Sequence, residues 1–424
     1  MNRTFILTLL IFLLIFAGLV TIQPPIIALS FPLIFYLLAG IWQAPDRLDL
    51  RVERISSAER VLTGNEVTIT LKVSNQGKAL EEVLLEDQIP DGLVVSDGSK
   101  RHLITLSNGE TTTWNYTLRG RRGYYGLKKV RATASETLGL VKVGQDLQTD
   151  GQLFFLPPVL RLRRVAIQPR RTRIFSGTIP ARQGGSGVEF FDVRDYQKGD
   201  SPRWINWRAT ARHPQNVYSN EFEQERSADV GLILDGRRRT NDFNNRSIFE
   251  HSVLATAALA DAFLNAGNRV GLLFYGRQII WTMPGYGKLQ SERILHDLSR
   301  FEPGDSQNFN ELYIPRHLFP SRSQLVLISP LLVEDYDVLA ALRLRGYPLL
   351  VVSPDPVSFE AGGLPKIKTY LLAMRIASLQ RAALLRRLRG TGTRVVDWDT
   401  SQPFEKTAKR ELERRSVSPR GDLR

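Results

Sequence analysis

The residues best equipped for chemistry lie between Gly184 and Arg212: Arg194, Asp195, Lys198, Asp200, Arg203, Arg208 and Arg212 among Phe190, Phe191, Tyr196, Trp204 and Trp207. Asp195 and Asp200 could form a carboxylate pair, but acid/base work needs one protonated and one ionised member. The surrounding arginines favour ionisation of both. The same guanidinium groups suit bidentate carboxylate partners and aromatic faces, so the segment reads as a network pinning an irregular loop. Gly199 and Pro202 bracket Asp200 and predict a turn there. The other chemical signals are thin. His102, His213, His251, His296 and His317 show no ligand spacing, and the chain has no cysteine. Neither Gly184-Gly-Ser-Gly187 nor Pro284-Gly-Tyr-Gly287 continues into a nucleotide-binding fingerprint. No catalytic residue, metal ligand or cofactor is assigned, and the chain is not read as an enzyme.

The run Arg194-Asp-Tyr-Gln-x-Gly-Asp-x-x-Arg-x-Ile-x-Trp-x-Ala-x-Ala-Arg212 resembles the signature of the prokaryotic family DUF58. Arg269-Val-Gly-Leu-Leu-Phe-Tyr-Gly276, Pro284-Gly-Tyr-Gly-Lys288 and Ser329-Pro-Leu-Leu332 are similar to later blocks of that family, so the resemblance covers Ser176 to Trp398. It implies a membrane-anchored protein with a von Willebrand factor A-like domain, often encoded beside MoxR-type AAA ATPases. It implies no established catalysis. The signature residues Arg194, Asp195, Tyr196, Gly199, Asp200, Arg203, Trp207 and Arg212 are expected to fasten the segment across the edge of an α/β domain.

The elements that must position these residues differ sharply along the 424-residue chain. Two apolar runs at about 4–22 and 26–42 flank Gln23-Pro24-Pro25, each near the ~20 residues a helix needs to cross hydrocarbon. They predict a two-helix transmembrane hairpin over 1–45. Arg3 precedes it and Arg47, Arg51 and Arg54 follow it, with no Lys or Arg in the connecting loop. That asymmetry places both ends in the cytoplasm and the chain at the inner membrane. Residues 47–162 carry short alternating runs such as Val67 to Val73, punctuated by Asn75-Gln-Gly77, Pro90-Asp-Gly92 and Ser107-Asn-Gly109, and predict an all-β sandwich. Asp87-Gln-Ile-Pro-Asp-Gly-Leu93 resembles a segment of bacterial immunoglobulin-like repeats. A connecting segment, 163–227, holds the signature at 184–212.

From 228 to 400 strand and helix alternate: Ala228 to Asp235, Phe249 to Asn265, Arg269 to Tyr275, and so on to Thr393-Arg-Val-Val-Asp397. The alternation predicts a mostly parallel sheet covered on both faces, in keeping with the von Willebrand factor A-like, Rossmann-like fold. The helix from Tyr370 to Arg389 reads as a core helix with a solvated basic face, and 401–424 as a polar tail. In metal-binding members of the wider fold the first strand ends in Asp-x-Ser-x-Ser. Here Asp235 aligns with the acid, but Arg237 and Arg239 replace the hydroxyls, and Ser329 stands at a later acidic position. Arginine has no acceptor and cannot ligate a cation. The expected arrangement is a guanidinium held against Asp235, with Asp235, Arg237, Arg239 and Ser329 forming a degenerate metal site that receives an acidic side chain of a partner.

These features predict a membrane-anchored scaffold that binds a protein, with a MoxR-type AAA ATPase the partner implied by the resemblance. The net charge of +14 suits an acidic docking face. Two alternatives come from other classes. One is an anionic-lipid or nucleic-acid binder using Arg119 to Arg122 and the basic bridge Arg161 to Arg173. The other is an unrecognised hydrolase using Asp195 or Asp200.

Overall fold

The computed structural model describes residues 3–43, 47–135, 142–162, 165–167, 172–213, 215–243, 246–304, 314–315, 318–362 and 367–413. Arg163, Arg164, Arg170 and Arg171 of the basic bridge, His317 and the tail beyond Glu413 lie outside them. The chain divides into two compact units, Met1–Leu156 and Pro157–Arg424.

The first unit opens with the helix Arg3–Thr21, a left-handed Ile22 at φ 52°, and a second helical run Pro24–Ala28 and Ser30–Gln43. The two prolines do not sit in a loop. They start the second helix, where a missing N–H and fixed φ cost nothing. Gly18 lets the helices close, since a Cβ there would stand 2.5 Å from Ile27 Cγ1. Both runs are long and apolar enough to cross a membrane.

The rest of this unit is all β. One four-stranded sheet has the order Leu50–Ser56, Glu66–Asn75, Thr111–Gly120, Leu93–Gly98; another runs Lys142–Gln148, Lys129–Ser135, Leu80–Asp87, Arg101–Leu106. A smaller sheet joins Arg60–Leu62, Gln152–Leu156 and Gly123–Gly126. Alternation places Val67, Ile69, Leu71 and Val73 in the core while their neighbours face outward. Inside this core lies a charged group. Arg54 donates to Asp87, to the Thr149 hydroxyl and to the Leu127 carbonyl, and the Tyr116 hydroxyl donates to the other Asp87 oxygen. Burial, and then the Asp87 charge, push the Tyr116 phenol well above its ordinary value.

The second unit is a seven-stranded sheet with helices on both faces. Its main path is Ile279–Gly285, Arg269–Tyr275, Tyr218–Asp235, Gln324–Ile328, Leu349–Pro354, Arg394–Trp398. The four pairings from Arg269–Tyr275 across to Arg394–Trp398 are parallel, and Ile279–Gly285 adds antiparallel to the edge. Val230, Leu232 and Leu234 face the helices Phe249–Asn265 and Gly287–Arg300. Ile233, on the other face, shares a core with the helices Asp335–Leu344 and Lys368–Gly390. After the central strand the chain first adds Arg269–Tyr275 on one side of it and later Gln324–Ile328 on the other, so its carboxyl end at Asp235 is a topological switch point.

Sequence periodicity missed one element. Residues Thr172–Asp195 form a 24-residue strand, antiparallel to Tyr218–Asp235, paired from Thr172 opposite Ala228 to Asp195 opposite Tyr218. The pairing shifts register four times, at Ile174/Ile179, Pro180/Gly184, Gly185/Phe190 and Phe190/Asp192. Each shift breaks the two-residue alternation by which a strand is read.

Candidate functional site

Two groups of sequence-predicted residues occupy different places in the second unit. The first sits at the switch point. Strand Tyr218–Asp235 ends on Asp235, and Gly236 turns the chain, its N–H donating to the Tyr275 carbonyl at 2.6 Å. A Cβ at Gly236 would lie 2.4 Å from Phe274 Cε2, so the chain passes where only glycine fits. The turn sends Arg237 back over the strand end. Its Nε and Nη2 donate to the two Asp235 oxygens at 2.9 and 2.8 Å, and its Nη1 and Nη2 to the two Asp335 oxygens at 2.9 and 2.8 Å. The Ser329 hydroxyl adds a 2.6 Å bond to Asp235, and Leu332 N–H caps Asp335 at 2.8 Å. Asn241 holds the loop by donating to the carbonyls of Asp235 and Arg237.

This cluster is closed to solvent, with the Arg237 side chain 1% exposed and those of Asp235 and Asp335 0% and 2%. The guanidinium spans both carboxylates, as a cation would. Burial works against the Arg237 charge, but the bonds to Asp235 and Asp335 outweigh it and lift its pKa above the ordinary value. Burial raises the Asp335 carboxyl, and the Arg237 bonds only partly oppose this. Two carboxylates facing one guanidinium make such a balance natural.

The guanidinium held against Asp235 is present, but it faces inward. Asp235, Arg237 and Ser329 are buried and hydrogen-bonded to one another and to Asp335. Arg239 alone of the four stands at the surface, paired with Glu334 at 2.9 Å. Asp335 is the member that sequence reading missed. Its signal was faint: it lies 98 residues from Arg237 and opens a helix, where an acid is ordinary.

The signature forms the second group, at the turn joining Thr172–Asp195 to Tyr218–Asp235. Arg194 grips Asp200 bidentately, Nη1 to Oδ2 at 2.8 Å and Nη2 to Oδ1 at 2.7 Å, and lies 3.5 Å from Glu221. Asp200 also accepts from the Gln197 N–H at 2.9 Å, and the Tyr196 hydroxyl donates to the Asp200 carbonyl at 3.0 Å. Gly199 sits inside this turn at φ 117°, a left-handed conformation that L side chains resist. Pro202–Trp204 then makes one helical turn. Asn206 caps the helix Trp207–Arg212 through Ala209 N–H at 2.9 Å and ties it to Asn220 at 2.8 Å. Trp204 packs edge-on against Phe222.

Among the described residues, the signature's hydrogen bonds close on the turn itself and on the first residues of the returning strand. Arg194, Tyr196, Gly199 and Asp200 build the turn. Asp195, Arg203, Trp207 and Arg212 are exposed, and Trp207 reaches 70% exposure. The Arg194 bond, first, and the Gln197 N–H hold Asp200 below the usual carboxylate range. An ionised, clamped Asp200 is poorly suited to share a proton with Asp195. Elsewhere, beside the Arg119 to Arg122 segment, Tyr124 is exposed. Arg119 pairs with Glu66 at 2.8 Å, and Tyr125 is buried edge-on against Phe155. Among the described residues no group of three or more acidic or histidine side chains is arranged to hold a metal.

Comparison with known proteins agrees with the segment that carries the signature. Residues 192–356 match the family described as "Protein of unknown function DUF58". The chain is 27% identical over 249 residues to the uncharacterized protein YeaD of Bacillus subtilis, covering 58% of this chain and 60% of YeaD. It is 23% identical over 280 residues to the uncharacterized protein Rv1480 of Mycobacterium tuberculosis, covering 59% of this chain and 86% of the relative. A CARDB domain from Pyrococcus furiosus aligns with 26% of this chain and 96% of its own length, at 15% identity and a TM-score of 0.19, too low to carry an argument. The match to DUF58 thus covers residues 192–356, which hold both the signature and the Asp235 cluster.

Proposed function

We propose that the chain is a membrane-anchored adaptor that binds a protein partner through the exposed tip of the Thr172–Asp195/Tyr218–Asp235 ribbon. The two N-terminal helices serve as the anchor, the immunoglobulin-like unit as a stalk, and the von Willebrand factor A-like sheet as the base of the ribbon. Both folded units lie on the cytoplasmic side, by the asymmetry of Arg3, Arg47 and Arg51 around a loop without Lys or Arg. The observation that carries the reading is Trp207, 70% exposed beside the exposed Arg203, Arg208 and Arg212. Trp and Arg dominate binding energy at interfaces, and a tip stiffened by the Arg194–Asp200 clamp loses little entropy when it docks. The arginines select an acidic face, and the DUF58 resemblance names a MoxR-type AAA ATPase as the partner.

The test is mass spectrometry of what stays bound in mild detergent to the wild type and to Trp207→Ala combined with Arg212→Glu. An AAA ATPase should accompany the wild type and disappear from the variant, with the thermal melt unchanged because neither side chain is packed. Identical lists would refute the tip as the docking face.

A further inference from the structure

We infer that the first three turns of the helix Lys368–Gly390 lie on the surface of an anionic bilayer. This element falls outside the DUF58 segment and outside both clusters described above. Its second half is a core helix. Leu384, Leu385 and Leu388 are buried, and Arg381 is anchored to Asp397 at 2.7 Å, Asp355 at 3.1 Å and the Pro330 carbonyl at 2.9 Å. Before Arg381 one side of the helix is partly buried at Met374 and Ala377 and the other is exposed. Leu372, Ile376 and Leu379 are 61%, 50% and 65% exposed, and Tyr370 and Leu371 are exposed with them.

The spacing gives this exposure a direction. Positions 372, 376, 379 and 383 alternate steps of four and three, which line one face of a helix. That face points away from the core-facing Leu384, Leu385 and Leu388, so the sheet does not cover it. A contiguous exposed apolar stripe on a folded unit marks a surface that meets something else. Lys368, Arg375 and Arg386 run alongside it and are exposed. An apolar stripe bordered by basic side chains is the pattern of a helix lying in a membrane interface, with the long cationic stems reaching the headgroups.

Two observations favour a bilayer over other occupants. Pairing with a second copy would bring the basic borders together, which is repulsive. And the chain carries its own route to a membrane, in two helices long and apolar enough to cross one. Tethering makes the surface contact intramolecular, so a weak interfacial helix can stay engaged.

The natural absence of cysteine allows a clean test on the full chain. Ile376→Cys carries an environment-sensitive fluorophore, and Leu344→Cys, at a fully exposed position of another helix, serves as the control. Each protein is reconstituted into phosphatidylcholine vesicles with or without phosphatidylglycerol, containing a lipid-borne quencher. The label at 376 should be quenched several-fold more than the label at 344 in the anionic vesicles, and less when phosphatidylglycerol is left out. Each basic residue near an anionic surface strengthens attraction by roughly fivefold, so Lys368→Glu with Arg375→Glu should weaken the contact by at least roughly 25-fold and abolish the difference. A label at 376 as open to water as that at 344 in both vesicles overturns the inference. If a soluble acidic protein then shields it, the face belongs to that protein instead.

Discussion

Arg237 occupies the position from which two buried carboxylates can be neutralised at once, and its loss should expose that dependence. R237S leaves Asp235 and Asp335 facing each other without a cation, at a cost of about 3–5 kcal/mol typical of a broken buried pair. It also leaves carboxylates and the Ser329 hydroxyl around a hole, which is a donor set for a hard cation. Excess magnesium should raise the melting temperature of R237S and leave the wild type unmoved. A magnesium-insensitive R237S would show that the loop collapses into the space. Asp335 makes a separate prediction through pH. Its folded-state pKa is raised by burial, so the stability it contributes is complete below the ordinary carboxylate value and is lost as pH rises through the raised one. The stability advantage of the wild type over Asp335→Asn, from urea unfolding at a series of pH values, should therefore shrink as pH climbs past the normal carboxylate range. A gap that widens would contradict the direction of the shift.

At the scale of elements, the β unit and the ribbon show what a sequence can and cannot display. Arg54 comes from one sheet and Asp87 from the other, and Tyr116 closes the group, so two sheets are joined through a single buried carboxylate. Arg54→Met leaves Asp87 without its cation and should cost about 3–5 kcal/mol, whereas Tyr116→Phe removes one neutral donor and should cost about 1–3 kcal/mol. Equal losses in urea unfolding would mean that the pair is not the main contributor. Asp87 was visible only as part of a turn motif, and Arg54 only as a charge flanking a membrane span. Their partnership depends on how the sheets stack, which no local pattern encodes. The alternating run Val67 to Val73 was legible because one face is core and the other is water. So was Ala228 to Asp235, whose continuous apolar run matches a strand buried on both faces. Thr172–Asp195 was not, because its register shifts and glycines erase the period. In the candidate site Asp235 and Arg237 could be paired from sequence, being neighbours at a strand end, while Asp335 required the sheet order. The long basic helix was half legible: its buried leucines sit where a core helix needs them, and its exposed first half obeys the same spacing on the opposite face.

For the whole molecule, the two proposed attachments to a membrane obey different physics. The helix Arg3–Thr21 has 19 residues, so it extends about 28 Å at 1.5 Å per residue, close to the ~30 Å of hydrocarbon. Its hold comes from apolar burial and does not depend on ionic strength. Contact through Lys368, Arg375 and Arg386 is electrostatic at its border and is screened within about 8 Å at physiological salt. The two should therefore come apart under salt. In membranes from cells producing the full chain, high salt and alkaline carbonate should leave the protein in the pellet. In the same preparations high salt should free a label at Ile376 from lipid contact. Release of the whole chain by carbonate would show that the N-terminal helices do not span, and the membrane reading of both attachments would lose its foundation. Retention together with a salt-released label would establish a permanent anchor and a switchable contact in one chain, with the second able to respond to the charge of the lipid around it.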